Sequence, residues 1–162
     1  MIEEIKINKE FLGKVVIIIY RMGNYAEYNI HNFIFQFIIK FIYKILNFII
    51  LKLLLNCEIP SKAKIGKGLI IFHPYGIIIN GGVIIGENLI LRHQVTIGNK
   101  GTNLDCPEIG DNVSIGAGAK IIGNIKIPSN SSIGANAVVT KTFDSPGILV
   151  GIPAILKKSI NK

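Results

Sequence analysis

The side chain best placed to do chemistry in this 162-residue sequence is His73, within Phe72-His73-Pro74-Tyr75-Gly76. Imidazole exchanges a proton near neutral pH, so its natural work is general acid–base catalysis. His73 also sits where a regular rhythm breaks. Aliphatic residues recur every six positions at Ile59, Ile65, Ile71 and Ile77, then two residues out of step at Ile79, Ile85, Leu91 and Ile97. The second phase resumes at Ile109 and runs through Ile115, Ile121, Ile127 and Ile133 to Val139. The two extra residues must be absorbed around His73, and local rules tend to be broken where function demands it. The remaining reactive side chains carry less. His93 lies in the adjoining coil and borders the same region, although a surface histidine explains it equally well. His31 falls outside the repeat, so a three-histidine metal site is not expected. Cys57 and Cys106 give no framework of paired spacings and read as reduced thiols.

The element that must position His73 is the repeat itself. Several hexads begin Ile-Gly, at Ile65-Gly66, Ile85-Gly86, Ile97-Gly98, Ile109-Gly110, Ile115-Gly116 and Ile133-Gly134. Such short-period self-similarity is the signature of a parallel β-helix, in which each repeat is too small to bury its own face. One aliphatic residue per six points inward, three short sides make a triangular coil, and the hexads from Ile59 to Val139 give between four and five coils. Gly and Asn beside the inward residues suit corners that need positive φ. Position 103 should be aliphatic and is Asn103, so the segment from Asn99 through Leu104 to Pro107 is expected to leave the coil as a projecting loop, a favoured place for binding residues.

The flanks are read from composition. Val15 to Tyr20 is an apolar run that fits a buried strand or a helix, and Arg21-Met22-Gly23-Asn24 looks like a break after it. From Phe33 to Leu55, Gln36, Lys40, Lys44, Asn47 and Lys52 fall on one side at 100° per residue, leaving a broad face of Phe, Ile, Leu and Tyr. That is an amphipathic helix. Three lysines argue against a transmembrane span. Its apolar face is expected to pack on the domain or on symmetry mates; the sharper reading is a helix lying on the cytoplasmic leaflet. Phe143 to Gly147 reads as a turn, followed by a basic tail with Lys157, Lys158 and Lys162. The divisions are therefore 1–57 (mostly helical, apolar and basic), 58–144 (β-helix) and 145–162 (turn and tail).

Composition bounds the partners. Hydrophobic content is 49% and mean hydropathy is +0.48, so a large core is available and disorder is not expected. The net charge is +8. No basic run is dense enough for nucleic acid; an anionic membrane surface or a phosphate-bearing cofactor accounts for the charge. Met1-Ile2-Glu3-Glu4 opens acidic without a basic n-region, which points away from a secretory signal and toward the cytoplasm.

The repeat resembles the hexapeptide acyltransferases with a left-handed parallel β-helix, and from Glu58 through Lys158 it is similar to the serine acetyltransferase branch. The resemblance rests on Ala63-Lys64-Ile65-Gly66-Lys67-Gly68, His73-Pro74-Tyr75-Gly76-Ile77, Val95-Thr96-Ile97-Gly98, Ile115 through Asn124, and Val150-Gly151-Ile152-Pro153-Ala154. It implies a mainly β fold with a short N-terminal helical segment, acetyl-CoA as donor, a hydroxyl acceptor, no metal, and a homotrimer with active sites between neighbouring copies. His73 matches the family's catalytic histidine, and Glu58 falls where the family carries the carboxylate that orients it. Gly98, Ala117 and Ala135 are implied contacts of the pantetheine, with Lys120, Lys141 and Lys157 as candidates for its phosphates. The β-helical carbonic anhydrases have a zinc-ligand pattern that His73 and His93 do not resemble. Two departures bear on the acceptor. The aspartate that precedes the histidine in serine acetyltransferases is Phe72 here, and their second histidine, which contacts the amino acid, falls at Cys106. With the short greasy helix, this looks more like the O-acetyltransferases of surface-polysaccharide assembly. Phe72, His93 and Cys106 are thus the expected acceptor-site residues. A saccharide O-acetyltransferase leads, with serine O-acetyltransferase and a non-catalytic trimeric scaffold as alternatives.

Overall fold

The structure, a computed structural model, describes residues 2–102 and 105–159. Asn103 and Leu104 of the expected loop and Lys162 of the expected tail lie outside the described residues. From Glu58 the chain winds as a parallel solenoid with three sheets, one per side. The first holds β1 (Lys64–Ile65), β4 (Ile84–Ile85), β7 (Glu108–Ile109) and β10 (Lys126–Ile127). The second holds β2 (Ile70–Ile71), β5 (Ile90–Leu91), β8 (Ser114–Ile115) and β11 (Ser132–Ile133), extended by β13 (Gly147–Gly151) and the antiparallel β14 (Ala154–Ser159). The third holds β3 (Ile78–Ile79), β6 (Thr96–Gly98), β9 (Lys120–Ile122) and β12 (Val138–Val139). The expected basic tail is therefore largely a strand that turns back on β13. Four coils are complete, the lower end of the expected range.

Register shows where the rhythm is broken. Glu108 pairs with Lys126, an unperturbed coil of three hexads. Lys64 pairs with Ile84, two residues more, and the surplus is spent at the corner between β2 and β3, where His73 lies. Ile84 pairs with Glu108, six residues more, spent on 99–107. The aliphatic rhythm is buried throughout, but the coil has two inward positions per hexad rather than one. Residues two before each main position, such as Leu69, Ile77, Val83, Leu89, Val95 and Val113, are buried as well. Ile77 belongs to that second layer, which is why it stands two residues from Ile79.

The corners need left-handed backbone, supplied by asparagine as much as glycine. Asn88, Asn112 and Asn130 have φ of 58°, 55° and 63° and pass side-chain hydrogen bonds up the stack at 2.9 and 3.1 Å. The Ile-Gly glycines serve a different purpose from the one expected. Gly116 is typical: a Cβ there would lie 2.5 Å from the backbone nitrogen of Ala135, so hydrogen is what lets the coils stack.

The N-terminal helices close the open end of the solenoid. The helices are α1 (Ile2–Ile7), α2 (Phe11–Tyr28) and α3 (Phe33–Leu46), the last continuing as a π-helical stretch, Asn47–Leu54. A first coil has no coil beneath it, and its unpaired peptide groups would be costly if buried unsatisfied. Here side chains satisfy them. Asn8 accepts from Ile71 N (2.9 Å) and donates to Leu69 O (2.8 Å), while Glu4 accepts from Leu69 N (3.1 Å). Arg21 donates to Ile65 O and Gly66 O and is paired with Glu4. Tyr20 donates to Ala63 O at 2.8 Å and accepts from Ile65 N at 3.2 Å; burial pushes its phenol up to about 12, which keeps the donor proton in place. Asn24, Tyr28 and Tyr43 continue the series onto Ser61, Lys62 and Ile59.

Of the two readings open for Val15 to Tyr20, the helix is the one adopted, and two expectations are corrected: α2 runs unbroken through Arg21-Met22-Gly23-Asn24, and α3 turns its apolar face outward. Gly23 is present because the Tyr43 ring of α3 packs onto it: a Cβ would lie 2.4 Å from that ring. The face of α3 turned to the body is the one bearing Gln36, Lys40 and Tyr43, and the Phe and Ile side chains face outward. The expected packing of the apolar face on the domain is not what the chain does.

Candidate active site

The corner between the second and third sheets is a stack contributed by each coil in turn. Gln94 N donates to Tyr75 O, Gly118 N to His93 O, and Asn136 N to Ala117 O. His73, His93, Ala117 and Ala135 therefore share one edge of the prism. In the upper coils this corner has a single left-handed residue, Gln94, Gly118 or Asn136; in the first coil Gly76 takes that position and His73, at φ 53°, is an additional one. A histidine in that region costs of order 1 kcal/mol and persists only where its surroundings fix it.

What fixes it is Glu10, at the N-cap position of α2. One carboxylate oxygen accepts from His73 N at 2.8 Å and the other meets Nδ1 at 3.1 Å. With Nδ1 held, Nε2 is the nitrogen left for solvent or substrate, and the His73 side chain is 60% exposed. The His93 ring stands edge-on to it, 6.1 Å between centroids, with its Nδ1 buried and unpartnered. Tyr75 N to His73 O (2.7 Å) and Gly76 N to Leu55 O (3.1 Å) complete the turn.

Glu58 is not part of this arrangement. Because the surplus residues sit in the corner, position 58 lies under Ile78 on the third sheet, and its carboxylate pairs with Lys52 at 3.1 Å. Glu10 supplies the carboxylate instead. Nothing in the sequence near His73 announces it; 63 residues separate them, and only the docking of α2 on the first coil brings them together.

Beside the corner, along the outer face of the second sheet, runs a groove of about 600 Å³. Phe72, Arg92, Ala117 and Ala135 line it with the backbone of Gly116 and Gly134. The small side chains leave the backbone approachable at Ala117 and Ala135, the two positions expected to meet pantetheine. The Arg92 guanidinium lies 5.5 Å from the Phe72 ring centre and is a cation that sequence reading passed over. The other expected residues disperse. Lys120 donates to Gln94 O at 2.6 Å, on the His73 corner. Gly98 ends β6, away from the groove, where segment 99–107 departs. Lys141 lies over the Phe143 ring and Lys157 is exposed on β14. Cys106 is buried and donates to Asn80 Oδ1 at 3.3 Å, at the corner between the third and first sheets rather than at His73. Burial pushes its thiol up, and that of Cys57 up to about 12. Among the described residues no cluster of His, Cys, Asp and Glu is arranged to hold a metal.

Comparison with known proteins places this geometry. Residues 106–141 match the bacterial transferase hexapeptide (six repeats) family. Serine acetyltransferases of Staphylococcus aureus and Staphylococcus epidermidis are each 48% identical over 103 residues, 62% of this chain and 48% of theirs. The chain thus spans about half the length of the curated relatives it matches. Among solved structures, a Brucella abortus serine acetyltransferase aligns with a TM-score of 0.79 at 26% identity, over 93% of this chain and 58% of that one. The soybean serine acetyltransferase apoenzyme gives 0.76 at 30%, over 91% and 58%. The Brucella abortus protein has also been solved in complex with coenzyme A. The solenoid of this chain thus carries the hexapeptide-repeat transferase pattern over residues 106–141 and is similar in sequence and fold to serine acetyltransferases.

Proposed function

We propose that this chain is an O-acetyltransferase that moves acetyl from acetyl-CoA to a hydroxyl, with His73 as general base. The observation that carries the reading is the carboxylate-held, left-handed His73 at the edge of a groove lined by small residues. Nε2 takes the proton of the acceptor hydroxyl as its oxygen bonds to the thioester carbon. The carbon–sulfur bond then breaks, and the imidazolium returns the proton to the departing CoA sulfur. Glu10 holds Nδ1–H and offsets the positive charge that the ring carries midway. The proposed path of the pantetheine follows Ala117 and Ala135, with Arg92 or Lys120 available to its phosphates. The groove is open on its outer side, consistent with a second copy completing it in a homotrimer.

For the acceptor, the named activity of the relatives backs L-serine over a saccharide. The saccharide reading rests on one observation: Phe72 puts an aromatic face under Arg92 where serine-specific relatives carry an aspartate by resemblance, and a sugar ring stacks on such a face. Thiol release from acetyl-CoA, followed with L-serine or with free and nucleotide-linked sugars, separates the two. Fast release with serine alone ends the saccharide reading, and release with sugars alone ends the serine reading. If His73→Asn, a residue that tolerates left-handed backbone, leaves transfer intact, His73 is not the base; if the parent chain releases no thiol with either class of acceptor, the chain is a scaffold and both readings fall.

A further inference from the structure

We infer that the outward face of α3 and its π-helical continuation lies on an anionic bilayer surface. The inference does not depend on which acceptor the enzyme uses. Phe33 to Leu54 is long and apolar enough to cross a membrane. Four of its polar side chains, however, are committed to its own chain. Gln36 donates to Ala26 O and Ile30 O, Lys40 pairs with Glu27 at 3.0 Å, Tyr43 bonds to Ile59 O and Ser61 N, and Lys52 pairs with Glu58. A helix that crossed the bilayer would have to surrender all of these. Docked as it is, it can only lie flat.

What faces outward is Ile34, Phe37, Ile38, Phe41, Ile45 and Phe48, exposed between 43% and 69%. A contiguous exposed patch of this kind marks an interaction surface. The patch has no hydrogen-bonding side chain at its centre, so it offers nothing to set the register of a folded protein partner, whose interfaces carry a polar rim and directed bonds. Hydrocarbon asks for none. Along one margin stands Lys44, exposed and with no carboxylate in ion-pair range among the described residues, and no acid occurs from residue 28 to 57. Against a second copy of this helix the two Lys44 charges would repel; against anionic headgroups they attract. The helix also ends at the catalytic corner, since Leu55 O accepts from Gly76 N, so an acceptor held at a bilayer would meet the chain beside His73.

The test is flotation of the full chain with vesicles of phosphatidylglycerol and phosphatidylcholine, or of phosphatidylcholine alone. Binding to the anionic vesicles at low salt is expected to exceed binding to neutral ones by about tenfold and to fall with added salt. Phe37→Asp with Phe41→Asp abolishes flotation with no drop in thermal midpoint, because both rings are already exposed; Lys44→Glu weakens binding to the anionic vesicles alone. Failure of the parent chain to float overturns the proposal, as does a double variant that floats equally well. Equal flotation on neutral vesicles overturns the choice of an anionic surface. A lipid-free assembly that halves in mass in the double variant, with neither protein floating, assigns the face to a second copy instead.

Discussion

Glu10 grips His73 twice, by its backbone N–H at 2.8 Å and by Nδ1 at 3.1 Å, so one carboxylate both holds the strained turn and fixes which ring nitrogen is presented. The first contact belongs to the same series as those of Glu4, Asn8 and Tyr20, side chains that satisfy the open edge of the first coil. The second turns a capping residue into a positioning residue. On the proposed reading, chemistry at His73 is thereby made conditional on the helices having docked.

Removal of either partner separates these roles. His73→Asn is expected to lower kcat by roughly 10²–10⁴-fold with folding retained. Glu10→Gln keeps an oxygen for the backbone N–H but loses the charge facing the ring, and is expected to lower kcat at least about tenfold with KM for acetyl-CoA unchanged. Glu58→Gln breaks an exposed pair with Lys52 and should change kcat by less than about twofold, as surface pairs contribute little. Steady-state kinetics on the three variants decides between Glu10 and Glu58: a larger loss at Glu58 would restore it as the orienting carboxylate.

Stacking of the coils is tested at two glycines that look alike in the repeat. Gly116→Ala drives a methyl to within 2.5 Å of backbone at Ala135, and is expected to cost about 1–3 kcal/mol by overpacking. Gly98→Ala meets nothing within 4 Å and should stay within about 0.5 kcal/mol of the parent. Chemical denaturation measures both. A raised KM for acetyl-CoA in Gly98→Ala, with stability unchanged, would support the cofactor contact assigned to Gly98 by resemblance.

How much of this was legible in the sequence follows from the range of the forces involved. The solenoid was readable because each inward position recurs at a fixed short interval, and every member from Ile59 to Val139 is buried. The slip at His73 was equally local, and it marked the corner that bears the histidine. Glu10 was not readable, since its role depends on a docking between segments 63 residues apart. The orientation of α3 was misjudged for a related reason. Amphipathicity tells which side is apolar but not which side the body wants, and here Tyr43 is turned inward to bond the first coil at Ile59 and Ser61, and Gln36 to satisfy the carbonyls of Ala26 and Ile30. Gly23 read as a break because a glycine that admits a ring looks, in sequence, like one that ends a helix.

Acid should loosen the cap before it touches the solenoid. Burial alone would raise the pKa of Glu4, but the hydrogen bonds and charge of Arg21, with the Leu69 N–H, outweigh it and hold the carboxyl below its ordinary 4.5. A depressed folded-state value stabilises the protein fully above the unfolded value, and that stabilisation is lost as pH falls from about 4.5 through the folded-state value. Thermal midpoints recorded from neutral pH downward should decline across that window, and Glu4→Gln should flatten the decline while lowering the midpoint at pH 7. An unchanged slope in the variant would mean that other carboxylates govern the acid limb.

Cys106 offers a check on direct transfer. Its position matches that of an acceptor-contacting histidine in the serine branch, and a thiol there invites the idea of an acetyl-cysteine intermediate. The geometry speaks against it: the sulfur is buried, donates to Asn80 Oδ1 at 3.3 Å, and has its pKa pushed up by burial, each of which lowers the thiolate fraction that a nucleophile needs. Cys106→Ser should therefore keep acetyl transfer within about threefold, since a serine hydroxyl can take over the donation to Asn80 Oδ1. Intact-mass spectra taken during turnover should show no acetyl adduct on the chain. A loss of two orders of magnitude in Cys106→Ser with the fold intact, together with an adduct in the parent, would replace the one-step mechanism at His73 with a two-step one through the thiol.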